Sequence, residues 1–338
     1  MKKEIDWGNL GFQYMQTDSY VSSVFDGNSW SELEVSSDPQ MSIHIAAACL
    51  HYGQSCFEGL KAFSRKDGSV ALFRPQENAL RMIESANRIA MVAPPVELFI
   101  EAVKKVVQLN SDWVPPYGEG ASFYIRPLLI GTDTRIGIRP SQNYRLIVLG
   151  MPVGPYYKDG FFPVKGCVQD SFDRAAPKGV GNVKVAGNYA AGMLGDIQSK
   201  SKGYSITLYL DSATHRYIDE FGTSNFLAIT HDNKLVVPKS ESILPSITNK
   251  SIQKIAEEFG LTVECRPIEF EQLADFSEVG ACGTAAVITP VYSITRGDQV
   301  FTFGEEGKAG KVLEKLYKEI QGIQFGEIED RHGWMVEV

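Results

Sequence analysis

The stretch VGNVKVAGNYAAG, residues 180–192, places one lysine, Lys184, between two valines and inside a pair of glycines, Gly181 and Gly187, with Tyr189 shortly after. Lysine is among the residues least often buried, yet its neighbours here are apolar or small. A lysine at the end of a strand can snorkel to water. A lysine held in apolar surroundings has its charged form disfavoured, and the neutral amine becomes a nucleophile toward carbonyl groups. If that carbonyl belongs to pyridoxal phosphate, the lysine needs company. An acid must keep the pyridine nitrogen protonated, and hydroxyls, an arginine and a helix N-terminus must hold the phosphate.

The chain offers a candidate for each task. Glu220, in YIDEFGTSNF, lies among apolar and small residues near Gly222. LPSITNKSI presents the backbone N–H groups of Ile247 and Thr248 in the first turn of a helix, and GACGTAAV holds Thr284 at a turn. Arg81 sits on a helix with Glu77 and Glu84 within reach. Each has an ordinary reading when taken singly: a surface strand carboxylate, a capped helix, a loop threonine, a solvated ion pair. Their order and type along the chain are what set them apart.

The elements that must position these residues divide the chain in two. SIHIAAACLHYGQSCFEGLKAF, from Ser42, reads as strands joined by turns at Gly53 and Gly59, and GSVALFR is another strand. QENALRMIESANRIAM places Leu80, Ile83, Ala86 and Ala90 at helical spacing after Pro75, and VELFIEAVKKVVQLNSDW is a second helix. ASFYIRPLLIG and YRLIVLGMPV are strands, so residues 1–150 form an α+β domain on a largely antiparallel sheet. Residues 151–165, rich in glycine, proline and aromatics, make an interdomain loop. In residues 166–338, Asn188 caps a helix running to Gly203, strands follow in YSITLYLD, YIDEFGTSNFLAIT and KLVVP, and Ser246 caps a helix ended by Gly260. LTVECRPIEF and GTAAVITPVYSIT are further strands, and AGKVLEKLYKEIQGIQ is a closing helix.

Composition narrows the function classes. The 338 residues are 43% hydrophobic and 22% charged, an ordinary globular balance. A net charge of −8 argues against nucleic acid, which requires a basic face. No apolar run reaches the length of a membrane span, and MKKEIDWGNLGF lacks the apolar stretch of a signal peptide. Cysteines 49, 56, 167, 265 and 282 are scattered without a C-x-x-C, which fits reduced thiols in the cytoplasm, and the histidines show no metal-ligand spacing. RGD at 296–298 reads as a polar turn.

Seven blocks, in order, carry a resemblance: YGQSCFEGLKAF, FRPQENALRM, FYIRPLLIG, GNVKVAGNYAAG, EFGTSNF, LPSIT and GTAAVITPV, spanning residues 52–291. In them the chain resembles the class IV aminotransferases, of pyridoxal-phosphate fold type IV, and within these the branched-chain amino acid aminotransferases. The resemblance implies a two-domain α+β/α/β fold, with a smaller N-terminal α+β domain, a larger barrel-like C-terminal domain and the active site between them. It implies that Lys184 forms a Schiff base with pyridoxal 5'-phosphate, that Tyr189 bonds the cofactor's phenolic oxygen and that Glu220 faces its pyridine nitrogen. Arg81, Ile247, Thr248 and Thr284 would hold the phosphate, with Thr223 and Asn225 beside the ring.

Tyr52, Phe57, Tyr124 and Tyr156 would line an apolar substrate pocket, with Arg126 awaiting the second carboxylate of glutamate or 2-oxoglutarate. Thr284 and Ala285 would hold the α-carboxylate. Ile136 and Ile138, in GTDTRIGIRP, would reach the pocket of a neighbouring subunit in a homodimer or larger homo-oligomer. The implied reaction is ping-pong transamination of leucine, isoleucine and valine with 2-oxoglutarate, with no metal. D-amino acid aminotransferases and aminodeoxychorismate lyases share the lysine and the fold and are the rival readings; a cofactor-binding scaffold that has lost activity is a third. Mammalian members carry a C-x-x-C soon after the G-T-A block; here no cysteine follows Cys282, so thiol regulation of that kind is not expected.

Overall fold

The computed structural model describes residues 3–154 and 161–338. The chain packs as two compact units. One comprises the described residues of Met1–Lys158 with Val183–Ala186 and Gly322–Val338; the other comprises those of Asp159–Asn182 with Gly187–Gln321. Two segments expected in the C-terminal domain thus belong to the first unit, and backbone pairing is the reason in both. Val185 bridges Cys56, and Met335–Glu337 adds a strand beside residues 71–73.

The first unit contains β1 (Tyr20–Phe25), β2 (Glu34–Ser36), β3 (Ser55–Phe57), β4 (Leu60–Ser64), β5 (Val70–Phe73), β6 (Ser122–Gly131) and β7 (Tyr144–Val153). Its helices are α1 (Ala48–Tyr52), α2 (Pro75–Arg88) and α3 (Val96–Leu109). The strands form an antiparallel sheet, from the C-terminal strand through β5, β4, β6, β7 and β1 to β2, with β3 also on β6. Phe123, Ile125 and Leu129 of β6 are fully buried, and α3 lays Phe99, Val103 and Val106 against the sheet. Alternation along β6 then sends Tyr124 and Arg126 to the opposite face.

Two expectations for this unit need correction. ACLHY is a short helix closed by Gly53 at φ +61°, not a strand; a brief apolar run does not by itself separate the two. On α2, Leu80 is half exposed, while Asn78, Arg81, Met82 and Ser85 are buried. The inward face mixes the apolar Ala79, Met82 and Ala86 with the polar Asn78, Arg81 and Ser85.

The second unit contains β8 (Val164–Val168), β9 (Ile206–Leu210), β10 (Ile218–Phe221), β11 (Ser224–Thr230), β12 (Lys234–Pro238), β13 (Thr262–Arg266), β14 (Phe276–Gly283), β15 (Val287–Arg296) and β16 (Gln299–Thr302). Helices α4 (Ala186–Ser201), α5 (Ile247–Glu258) and α6 (Lys311–Phe325) complete the elements. Strands β10, β9, β8, β15, β14 and β11 run side by side, and β11 pairs back onto β10, closing a mixed barrel. Its core includes Leu208, Phe221, Phe226, Phe276 and Ile294. The RGD tripeptide is the turn joining β15 to β16, with Gly297 at φ +57°. No helix among the described residues is long and apolar enough to cross a membrane.

Candidate active site

In the first unit, Lys184 is held by its own backbone. Its N–H donates to Ser85 Oγ of α2 at 2.9 Å, and its carbonyl accepts from the Phe57 N–H at 3.1 Å. Val183 and Val185 are buried on either side, so the side chain at 184 must point the other way. Lys184 Nζ lies 4.9 Å from the centre of the Phe57 ring.

Arg81 is 8% exposed and pairs with Glu58. Its Nε donates to Glu58 Oε1 and its Nη2 to Glu58 Oε2, both at 2.8 Å, a bidentate fork. Asn78 Nδ2 adds a bond to Oε2 at 2.7 Å. Burial alone would raise the Glu58 pKa, but the charges of Arg81 and Lys184 and the bonds from Arg81 and Asn78 outweigh it, holding the carboxyl below its ordinary value. Glu58 is not among the residues that the sequence singles out. The available signal is a carboxylate inside the apolar run SCFEGL.

Phe57, Tyr124 and Arg126 come together, with Tyr124 buried and the other two partly so. Arg126 lies 4.6 Å from the Phe57 ring centre and 5.4 Å from that of Tyr124, and its Nη2 donates to the Tyr124 hydroxyl at 2.9 Å. A side chain at Gly59 would collide with that hydroxyl, so the glycine makes room for Tyr124. Arg126 Nε is buried without a partner among the described residues. A buried guanidinium N–H left unmatched is costly and matches an anionic ligand. Tyr52 is farther out, donating its hydroxyl to the Ile136 carbonyl. Ile136 and Ile138 are 62% and 88% exposed. Tyr156 lies outside the described residues.

In the second unit, Glu220 of β10 is 4% exposed. Its Oε1 accepts from the Leu244 N–H at 3.1 Å and lies 2.9 Å from Arg174 Nη2; its Oε2 accepts from Asn225 Nδ2 at 2.8 Å. Asn225 is cross-strand from Glu220, which is why the amide reaches it. Thr223 is exposed in the tight turn between these strands. Tyr189 is half buried on α4. The helix begins at Ala186, so Asn188 is not its cap; the Asn188 amide donates to the Val180 carbonyl at 2.7 Å and braces the segment before Lys184.

α5 begins as expected. Ser246 caps it, accepting from the Asn249 N–H at 3.2 Å, and the Lys250 N–H donates to the Ser246 carbonyl. Ile247 and Thr248 precede the first residues that an α-helix can satisfy internally, so their N–H groups form an anion-binding end. Thr248 is itself buried. Ser246→Ala should cost about 1 kcal/mol, read as a lower urea midpoint with unchanged slope. Thr284, Ala285 and Ala286 form the hairpin loop between β14 and β15, closed by Val287 at φ +64°. A β-branched residue in that region is strained, and strain of this kind fixes a loop's backbone in one shape. Cys282, next along β14, is buried; burial and then the Glu220 charge push its thiol pKa upward, so it behaves as an inert small hydrophobe.

Each unit thus holds a pair of opposite charges out of water, Glu58 with Arg81 in the first and Glu220 with Arg174 in the second. Residues 55–294 match the family model described as amino-transferase class IV. The chain is 46% identical over 342 aligned positions to the branched-chain-amino-acid aminotransferase of Haemophilus influenzae, covering 99% of both chains. Among solved structures, the branched-chain amino acid aminotransferase of Escherichia coli superposes with a TM-score of 0.80 at 29% identity, covering 94% of this chain and 98% of that one. The T.th. branched-chain amino acid aminotransferase, solved with pyridoxamine 5'-phosphate, gives a TM-score of 0.80 at 25% identity, covering 95% and 99%. With more than half its length matched by the family model, the chain belongs to the class IV aminotransferases.

Proposed function

We propose that this chain is a pyridoxal-phosphate-dependent aminotransferase that takes the amino group from leucine, isoleucine or valine and passes it to 2-oxoglutarate, reversibly and by a ping-pong cycle. One observation carries the reading: Lys184, clamped through its backbone beside the buried Glu58–Arg81 pair, in a chain 46% identical along its length to a branched-chain enzyme. The donor set fits the cofactor. The Ile247 and Thr248 N–H groups at the α5 end and the Thr284 hydroxyl suit a phosphate, and a buried carboxylate at Glu220 suits a protonated ring nitrogen. Pyridoxal phosphate, when bound, supplies an electrophilic carbon and a ring that disperses negative charge from the substrate α-carbon.

The protein's own residues do the rest. In the first unit, Lys184 Nζ would hold the cofactor and, as the free amine, would take the proton from the substrate α-carbon and return it to the cofactor carbon that bore the aldehyde. Arg81 holds phosphate oxygens, with Glu58 fixing the plane of its guanidinium. Phe57, Tyr52, Tyr124 and the connector's Tyr156 receive the branched side chain. In the second unit, Glu220 would stabilise the protonated ring nitrogen, Tyr189 would donate to the phenolic oxygen, Thr223 and Asn225 would lie beside the ring, and Thr284 with Ala285 would receive the α-carboxylate.

Arg126 solves the problem of accepting both an apolar side chain and a distal carboxylate. With an apolar substrate, its guanidinium stays stacked on Phe57 and bonded to Tyr124; with glutamate, it turns its unmatched N–H to the carboxylate. A charge-assisted bond contributes about 1.5–3 kcal/mol, so Arg126→Leu should lower kcat/KM for 2-oxoglutarate roughly 10- to 150-fold. The leucine half-reaction should stay within about threefold. Equal losses on both substrates would remove Arg126 from this role.

We further infer a homodimer or larger homo-oligomer, supported by the exposed Ile136 and Ile138, and residence in the cytoplasm, supported by five free cysteines. The deciding experiment is an amino-donor panel with 2-oxoglutarate, following bound-cofactor absorbance. Leucine, isoleucine and valine should react, and D-alanine and aminodeoxychorismate should not.

A further inference from the structure

Arg174, in the segment between β8 and α4, is a buried cation of the second unit that belongs to neither the cofactor set nor the substrate set above. Its side chain is 9% exposed. Nη2 lies 2.9 Å from Glu220 Oε1, donates to the Ser242 carbonyl, and is 3.4 Å from the Gly181 carbonyl. Its Nε is buried with no partner among the described residues. The space it occupies depends on Gly181, where a Cβ would lie 2.8 Å from Nη2 and collide with the Ser242 carbonyl. The glycine three residues before Lys184 therefore makes room for this guanidinium.

The charges around it are few. Glu220 faces Arg174 and the neutral Cys282 thiol. Arg174 in turn faces Asp219 and Tyr209, and Asp211 acts on Asp219. Burial raises the Asp219 pKa, while Ser240 and Arg174 pull it back. A carboxyl as enclosed as Glu220 would take up a proton if its surroundings were neutral, because burial disfavours the ionised form. A protonated Glu220 could not stabilise a positive ring nitrogen. Arginine keeps its charge at every pH a protein tolerates, and its fork fixes direction as well as sign.

We propose that Arg174 is a positioning residue for the transamination reaction: it keeps Glu220 anionic and anchors its Oε1, and through Glu220 it sets the protonation of the cofactor's ring nitrogen. This rests on the assignment of Glu220 given above. Asn225 and the Leu244 N–H hold the same carboxylate as neutral donors, while Arg174 brings a fixed positive charge to its Oε1.

The test uses the holoenzyme and its absorbance as a function of pH, with cofactor affinity measured by reconstituting the apoprotein. An opposite charge this close moves a carboxyl by about 1–3 pH units. Arg174→Gln should therefore shift the acid-side spectral transition upward by about one unit or more and weaken pyridoxal phosphate binding about tenfold. Arg174→Lys, which keeps the charge, should stay within about half a unit of the parent. In a Glu220→Gln background the Arg174→Gln change should add nothing to the spectral shift, because Arg174 acts through the group already removed. An unshifted Arg174→Gln, an Arg174→Lys shifted as far as Gln, or a shift that persists without the Glu220 charge each overturns the proposal. A parent protein that takes up no pyridoxal phosphate overturns both this and the function it rests on. A parent that binds the cofactor with Arg174→Gln unshifted overturns this one alone.

Discussion

Lys184→Ala should abolish transamination, lowering turnover with leucine and 2-oxoglutarate by about 10⁴-fold or more, because one amine both carries the cofactor and moves the α-proton. Two losses are combined in one residue, and no neighbour can take over either. Lys184 Nζ sits over Phe57, and the charges near it include the Glu58 carboxylate; neither that group nor the Arg81 guanidinium it holds can form a Schiff base. The fold should survive. The backbone bonds to Ser85 and Phe57 do not involve the side chain, and Val183 and Val185 still anchor the segment. The check has three parts: turnover, the absorbance band of bound cofactor, and retention of cofactor after borohydride reduction and denaturation. The parent should retain it and the alanine variant should not. Residual turnover above a thousandth of the parent rate would show that another group carries the chemistry.

The residues legible in the sequence are those whose roles depend on local chain geometry. Ser246 caps α5 because serine at that position accepts an N–H three residues on, a relation contained within one turn. The valine–lysine–valine alternation of the Lys184 segment likewise needs only the two-residue period of an extended chain. The partners of Arg81 and Glu220 are not legible. Glu58 is 23 residues from Arg81, on a strand whose placement depends on the whole sheet, whereas Glu77 and Glu84 are the neighbours a helix alone would suggest. Arg174 is hidden in the same way, in a loop with no period of its own. Asn188 reads as a cap because its type favours one, but its amide finds the Val180 carbonyl and the helix starts earlier. ACLHY is a helix although the run is short enough for a strand. Tertiary contacts decide such cases, and one-dimensional pattern does not contain them.

Glu58→Gln should be the most destabilising conservative change in the first unit. The substitution keeps the shape of the side chain and removes its charge, leaving the buried guanidinium of Arg81 without a counter-ion. Losing one partner of a buried pair costs about 3–5 kcal/mol, well above a typical surface change. Thermal unfolding of the apoprotein should fall by about 10 °C. The pH dependence gives the sign. Glu58 is held below its ordinary carboxylate value in the folded chain, so its contribution is fully present above the unfolded pKa of about 4.3 and is lost as pH falls through the folded value. The parent should lose stability on acidification below about pH 4.3, and the glutamine variant, having no such proton to take up, should lose less. The gap between them in urea unfolding should be widest at neutral pH and narrow toward about pH 3. Because Arg81 Nε and Nη2 are both bonded to this carboxylate, the guanidinium should also lose its fixed plane. Pyridoxal phosphate affinity should then fall about 10- to 100-fold even where the variant is folded, a result that stability alone does not produce. A glutamine variant with parental melting and parental cofactor affinity would mean that Arg81 is held in place by contacts other than Glu58.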